Sequence, residues 1–311
     1  MRSYSNSSEG ELIRFDRFMA AALYGPRGYY TGPRTKLGAR GDFTTTPKLT
    51  TRLAERIARW LQEGWKRHGS PLPVIELGPG DGTLARDIRH TLGFLTRRKL
   101  DYHFVEISPD LAARQQQGNQ GTWHRTLAEA LTATDERALI LSNEFFDAFP
   151  VRIFNRDLHE LHLDPAGLEH WLPAADLPDS VLFKDPPARF EVAQSVQRWF
   201  QSDLARLRQG DILTIDYGGS PEEIYHRRPL GSLRAYLHHM RLDPPETYQN
   251  PGHLDLTFDV CFPDLERWGH DIGLETVSLQ TQADFLGTAD HHGAGGAFKV
   301  LHQVRNQANL L

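Results

Sequence analysis

The chain has a single cysteine, Cys261, so no intramolecular disulfide can form, which fits a reducing compartment. Between Val260 and Phe262 that thiol reads as a small buried apolar residue. Long apolar runs are missing as well. No window approaches the ~18 consecutive apolar residues of a membrane-spanning helix, and no such span is expected. The polar, Ser-rich start from Met1 to Gly10 lacks the apolar core of a secretory signal. It is also too short and too poor in Arg for a mitochondrial presequence, so a cytoplasmic location is expected. Concentrated positive charge is absent. The formal net charge is −5 and the arginines are scattered, so no nucleic-acid partner is expected. No internal repeat and no low-complexity tract is present.

What remains is ample for a core. With 311 residues, 39% apolar and 24% charged, the chain has the balance of a soluble protein that needs neither disulfides nor metal to bury a large interior. One large domain with insertions, or two domains, both fit this length.

The order of elements points to an α/β fold. Leu12, Phe15, Phe18, Met19, Ala22 and Leu23 recur at helical spacing and predict a helix over Glu11 to Tyr24. Gly25 to Lys48 is rich in Gly and Pro and reads as a long loop, a length that usually serves function. A second helix is expected from about Leu49 to Lys66. Then strands and helices alternate. Pro73 to Leu77 is a short apolar strand and Leu84 to Leu95 a helix. Tyr102 to Glu106 is the second strand and Pro109 to Gln117 the next helix. Gly121 to Arg125, Ala138 to Ser142 and Asp211 to Asp216 supply the third, fourth and fifth strands. That alternation implies a doubly wound, mostly parallel sheet. Val151 to Phe154, Leu158 to Leu163 and Leu168 to Leu172 alternate apolar and polar residues around two turns, and predict an inserted antiparallel meander. A helix from Ala188 to Gln209 should return the chain to the main sheet. Gly219 to Asp259 reads as irregular. Leu274 to Leu279 and Ala297 to Val304 read as two last strands, antiparallel to each other.

The strongest chemical signal is Glu76-Leu77-Gly78-Pro79-Gly80-Asp81-Gly82-Thr83, between a strand and a helix. Glycines there permit a turn with unusual backbone angles and let a ligand approach the main chain, and the helix beyond offers its N-terminus. A dinucleotide loop would carry Gly at the first, third and sixth positions. Here Gly fills the first, third and fifth, and Thr83 holds the sixth. This disfavours a nicotinamide dehydrogenase. Acid-x-Gly-x-Gly-x-Gly resembles the nucleotide loop of Rossmann-like methyltransferases. Glu106 closes the second strand 24 residues after Gly82, where an acid can accept both ribose hydroxyls. Asn143-Glu144-Phe145-Phe146-Asp147 follows the fourth strand and faces the same crevice, with two acids able to clamp a cationic guanidinium or amine. His238-His239 and His291-His292 show no ligand spacing, and no metal is expected.

Taken in order, these runs resemble a known family. Tyr24 to Tyr30, Gly41-Asp42-Phe43-Thr44-Thr45-Thr46-Pro47, the Glu76 loop, Val105 to Pro109, the Asn143 run, Asp216-Tyr217-Gly218 and Phe298 to Leu301 are similar to the MidA-type methyltransferases, whose mitochondrial member assists assembly of respiratory complex I. The resemblance covers most of the chain. It implies a Rossmann-like domain that uses S-adenosylmethionine (SAM), and methylation of a protein arginine, on a subunit of that complex. The expected organisation is N-terminal helices and a lid loop over 1–70, then a methyltransferase domain over 71–311 with insertions at about 150–190 and 219–262. Expected cofactor contacts are Glu76, Gly78, Pro79, Gly80, Gly82, Thr83, Glu106, Ile107 and Asn143, with Gly41, Thr44 and Thr45 closing over them as a lid. Glu144, Asn143, Asp147 and Asp42 are the expected catalytic residues. Two departures touch the acceptor side. Phe258-Asp259-Val260-Cys261 stands where the family commonly has Ala-His-Val-Asp, with Asp259 compensating in part. The segment Gly287 to Ala297 is short and rich in Gly and His. The alternatives are a small-molecule O- or N-methyltransferase and a SAM-binding assembly factor without turnover.

Overall fold

The computed structural model describes residues 11–32, 47–178, 186–237, 240–242, 244, 246–288 and 294–306. Among them the main sheet has eight strands. Seven are labelled here: β1 (Val74–Leu77), β2 (Tyr102–Val105), β3 (Thr122–His124), β4 (Arg137–Asn143), β5 (Gln209–Gly219), β6 (Glu275–Thr281) and β7 (Phe298–Arg305). Their order is β6-β7-β5-β4-β1-β2-β3, and Val260–Cys261 pairs with the end of β5. Pairing is parallel throughout the β5-β4-β1-β2-β3 run. β7 runs antiparallel to both its neighbours. The doubly wound sheet with an antiparallel last strand is therefore present as expected.

Continuous apolar runs such as Ala138 to Leu141 form strands here because both faces of the sheet are covered. Alternate residues part to opposite sides. Val74, Leu139, Leu141, Leu213 and Ile215 join a core with the helices α2 (Pro47–Arg67) and α3 (Thr83–Thr91). Ile75, Leu77, Ala138, Ile140 and Ile212 join a second core under the helices Leu127–Ala133, Gln194–Ser202 and Phe262–Asp271. At the sheet's N-terminal edge, the fully buried Asp211 ties α2 to the strands. Its carboxylate accepts from Arg67, from His68 Nε2 at 2.7 Å and from His302 Nε2 at 2.9 Å. Burial pushes this acid up, but the histidine hydrogen bonds and the Arg67 charge bring it down to about 2.

The meander falls where alternation puts it, as Arg152–Asn155, His159–Leu163 and Glu169–Pro173. Four expectations change. The expected helix over Glu11 to Tyr24 begins only at Phe15, because Ile13–Arg14 pairs with His162 and Leu163 of the meander. The helix over Leu84 to Leu95 breaks at Leu92-Gly93, leaving a separate turn over Phe94–Arg97. Arg189–Val192 is a strand paired with Arg152–Asn155, so the helix expected from Ala188 starts at Gln194. The stretch read as irregular holds a helix, Pro221–Arg227, with a Ser220–Glu223 capping box. It also holds the small sheet of Arg234–Leu237, Met240–Leu242 and Asp255–Thr257.

Candidate functional site

The candidate site residues gather where parallel strands end. Glu76 lies in β1 and the glycine loop follows it, Glu106 and Ile107 follow β2, Asn143 ends β4 with Glu144 next, and Asp216 lies near the end of β5. All lie at one edge of the sheet, where open α/β sheets bind ligands.

The three loop glycines serve two different ends. All have positive φ, +57° at Gly78, +56° at Gly80 and +75° at Gly82, a region that L side chains enter with strain. A Cβ on Gly78 would meet the Phe145 ring at 3.0 Å, and one on Gly82 would meet Asn119 Nδ2 at 2.5 Å. A Cβ on Gly80 would meet nothing within 4 Å. The outer glycines thus admit protein neighbours, and Gly80 opens onto free space in the cradle. Thr83 begins α3, with its amide donating to Asp81 Oδ1 at 2.9 Å and its hydroxyl accepting from Arg86 at 2.6 Å.

Glu76 is buried and accepts a hydrogen bond from the Tyr102 hydroxyl at 2.9 Å. Burial pushes its carboxyl up to about 8 against that hydrogen bond. Glu106 is also buried, and burial raises it despite donors from the Ser108 and Ile107 amides and Gln115. Ser108 N donates to Oε1 at 2.8 Å and Gln115 Nε2 to Oε2 at 3.0 Å. Ile107, 40% exposed, offers an apolar surface beside it.

The acceptor side is a cluster of acids. Glu144 has φ +51°, uncommon for a residue with a side chain, and its amide donates to Ile215 O at 2.9 Å. This bend turns the chain out of β4, and Asn143 Nδ2 reaches Glu144 Oε1 at 3.4 Å. Burial and the Asp147 charge push Glu144 up to about 7. Asp147 is buried, accepts from the Tyr217 hydroxyl, and is pushed up to about 6 by burial, with the Arg234 charge opposing. The third acid, Asp216, is fully buried and raised well above its usual range by burial and by the Asp147 and Glu144 charges. Its two oxygens accept from the amides of Phe146 at 3.1 Å and Tyr217 at 3.0 Å. Arg234 lies over the Tyr217 ring at 4.4 Å and donates to Asp259 Oδ1 at 2.6 Å. Asp259, the acid expected to compensate within the departing motif, is thus held by arginines, with Arg228 Nε on Oδ2 at 3.1 Å. Phe145 and Phe149, with Trp199, wall the loop at ring separations of 5.2 to 6.2 Å.

Of the expected residues, the structure brings Glu76, Gly78, Pro79, Gly80, Gly82, Thr83, Glu106, Ile107, Asn143, Glu144 and Asp147 to this edge. Gly41, Asp42, Thr44 and Thr45 lie outside the described residues, as do His238-His239 and His291-His292. Tyr30 anchors the N-terminal segment through a 2.7 Å hydrogen bond to Asp255. Sequence reasoning passed over Gln115, Tyr102 and the role of Asp216. Gln115 had a signal: it stands four residues after Leu111, on the face of its helix that both bury. Among the described residues no helix is long and apolar enough to cross a membrane.

The chain is 30% identical over 293 residues, 79% of its length, to a Drosophila melanogaster protein named protein arginine methyltransferase NDUFAF7 homolog, mitochondrial, of which it spans 64%. It is 28% identical to the Danio rerio protein arginine methyltransferase NDUFAF7, mitochondrial, covering 88% of this chain and 72% of that one. A crystal structure of a COG1565 superfamily member from Burkholderia thailandensis, bound to S-adenosyl-homocysteine, superimposes with a TM-score of 0.81 at 26% identity, covering 96% of this chain and 89% of that one. The expected cytoplasmic location is overturned by the first two relatives, both named as mitochondrial. The missing apolar core speaks only to a secretory signal, and the composition of Met1 to Gly10 does not decide the compartment. Residues 56–280 match the family described as S-adenosyl-L-methionine-dependent methyltransferase. The chain belongs to that SAM-dependent methyltransferase family.

Proposed function

We propose that the chain methylates a guanidinium nitrogen of an arginine in a partner protein. One observation carries this reading: Glu144, Asp147 and Asp216 are three acids raised by burial at the ends of β4 and β5, and among the described residues the Arg234 charge opposes that rise at Asp147. Buried carboxylates without enough positive charge are costly, and a cationic acceptor relieves that cost. The names of the relatives, protein arginine methyltransferases, support the same acceptor. On the resemblance, the protein acceptor is a subunit of a respiratory complex.

The residues fit the cofactor. Gly80 opens the cradle, Glu76 would face the methionine end, Glu106 would accept the ribose hydroxyls and Ile107 would flank the base. Pro79, Thr83 and Asn143 complete this cofactor set. The bound cofactor supplies a methyl group already activated on a sulfonium. The chain therefore has to position the acceptor and exclude water. Glu144 and Asp147 orient the guanidinium by charge-assisted hydrogen bonds. Phe145 and Phe149 keep the site dry. Glu144, at about 7, is poised to take the proton that leaves the nitrogen at a carboxylate oxygen. Asn143 steadies that carboxylate, and Asp42 assists acceptor binding.

The test is Glu144→Gln. Methyl incorporation into arginine-containing protein, read by mass spectrometry, should fall about 100-fold or more. Calorimetric affinity for S-adenosylhomocysteine should change by less than about threefold, a fraction of 1.4 kcal/mol. Normal methylation by the variant removes Glu144 from the mechanism. Methyl groups found only on small hydroxylated metabolites overturn the arginine acceptor.

A further inference from the structure

A buried amide connects the two halves of the cofactor cradle. Gln115 lies in the helix α4 (Pro109–Gly118) and is 0% exposed. Its Nε2 donates to the carbonyl of Gly80 at 2.7 Å and to Glu106 Oε2 at 3.0 Å. Its Oε1 accepts from Trp123 Nε1 at 2.9 Å. An amide nitrogen has two hydrogens, and both are used. The indole can only donate, so it fixes which end of the amide is oxygen. Gln115 therefore has one orientation, and that orientation joins the loop after β1 to the acid after β2. Gly82 makes room for this. A Cβ there would meet Gln115 Cγ at 3.3 Å and the Asn119 amide at 2.5 Å.

The consequence falls on Glu106. Each carboxylate oxygen has two lone pairs. Ser108 N occupies one on Oε1 and Gln115 one on Oε2. The Ile107 amide is directed at the same carboxylate, so three donors fix how its oxygens would face a vicinal diol. We propose that Gln115 is a positioning residue for the cofactor's ribose. It holds Glu106 ready to receive the 2′ and 3′ hydroxyls together, at a fixed distance from the Gly80 backbone. This rests on Glu106 being the ribose acid.

The experiment uses the full chain and two ligands, S-adenosylhomocysteine and its 2′,3′-dideoxy analogue. Gln115→Met keeps the side-chain volume and removes both donors. Its affinity for S-adenosylhomocysteine should fall about tenfold, and its affinity for the analogue by less than about twofold, because the analogue has no diol to misplace. Gln115→Glu sets a second carboxylate beside Glu106, and close acids share a proton. The affinity of that variant relative to the unsubstituted chain should fall as pH rises. An equal loss for both ligands in Gln115→Met makes the residue mere packing and overturns the proposal. So does a pH-independent ratio for Gln115→Glu. Glu106→Ala separates the two levels. If it binds both ligands normally, the ribose site lies elsewhere and the underlying reading fails. If it discriminates against the diol and Gln115→Met does not, only the role of Gln115 falls.

Discussion

Binding of S-adenosylmethionine should expel a proton from Glu76. Burial in the free protein pushes this carboxyl up to about 8. At pH 7 a group of that kind is about 90% protonated, and ionising it costs about 1.4 kcal/mol, one pKa unit. The ligand carries positive charge at its methionine end, so it favours the ionised carboxylate. The sign follows. Affinity rises with pH, by up to about tenfold per unit below pH 8, and levels off above it. About 0.9 proton should be released per ligand bound near pH 7. Calorimetry in buffers of differing ionisation enthalpy counts that proton directly. Glu106 is raised as well, so the unsubstituted chain alone does not isolate one acid. Glu76→Gln does: most of the proton release and most of the slope should vanish. Undiminished proton release in Glu76→Gln, or pH-independent binding by the unsubstituted chain, would refute the reasoning.

Gly80→Val should fold, since no atom lies within 4 Å of the new Cβ, with a backbone cost of about 1–2 kcal/mol for φ +56°. Its affinity for S-adenosylhomocysteine should fall at least about tenfold, and an unchanged affinity in a folded variant would detach the loop from the cofactor. Asp211 is an acid lowered from 3.8 to about 2; its stabilisation is present above the unfolded value and fades as pH falls. The shift of about 1.8 units corresponds to about 2.5 kcal/mol. Urea unfolding of Asp211→Asn should show a loss of about that size at pH 7, narrowing to about half near pH 3; equal losses at the two pH values would deny the ion cluster its role.

The parallel sheet was legible because each strand is a short apolar run closed by a polar residue, and because helices intervene. The place of the glycine loop between a strand and a helix, and of Glu106 directly after β2, was legible through spacing. What stayed hidden depended on pairing between distant segments. Arg189–Val192 reads as the start of a helix until Arg152–Asn155 lies beside it. Ile13–Arg14 becomes a strand only against the meander. Inside the site, Gln115 sits in a run of three glutamines, and only the fold buries one of them against Glu106 and Gly80. Asp216 closes a strand as many acids do. Its significance comes from Glu144 and Asp147, supplied by another strand's loop.

The place of β7 also bears on how the chain is made. β5 is the longest strand, buried along all eleven residues, and one of its two long edges is covered by Phe298–Arg305. During synthesis that edge stands open until the last strand has left the ribosome. An exposed apolar edge invites pairing with other chains. Nascent molecules should therefore depend on a chaperone over the interval between Gly219 and Arg305. A frameshift or nonsense mutation before Phe298 should yield aggregates rather than a weakened enzyme.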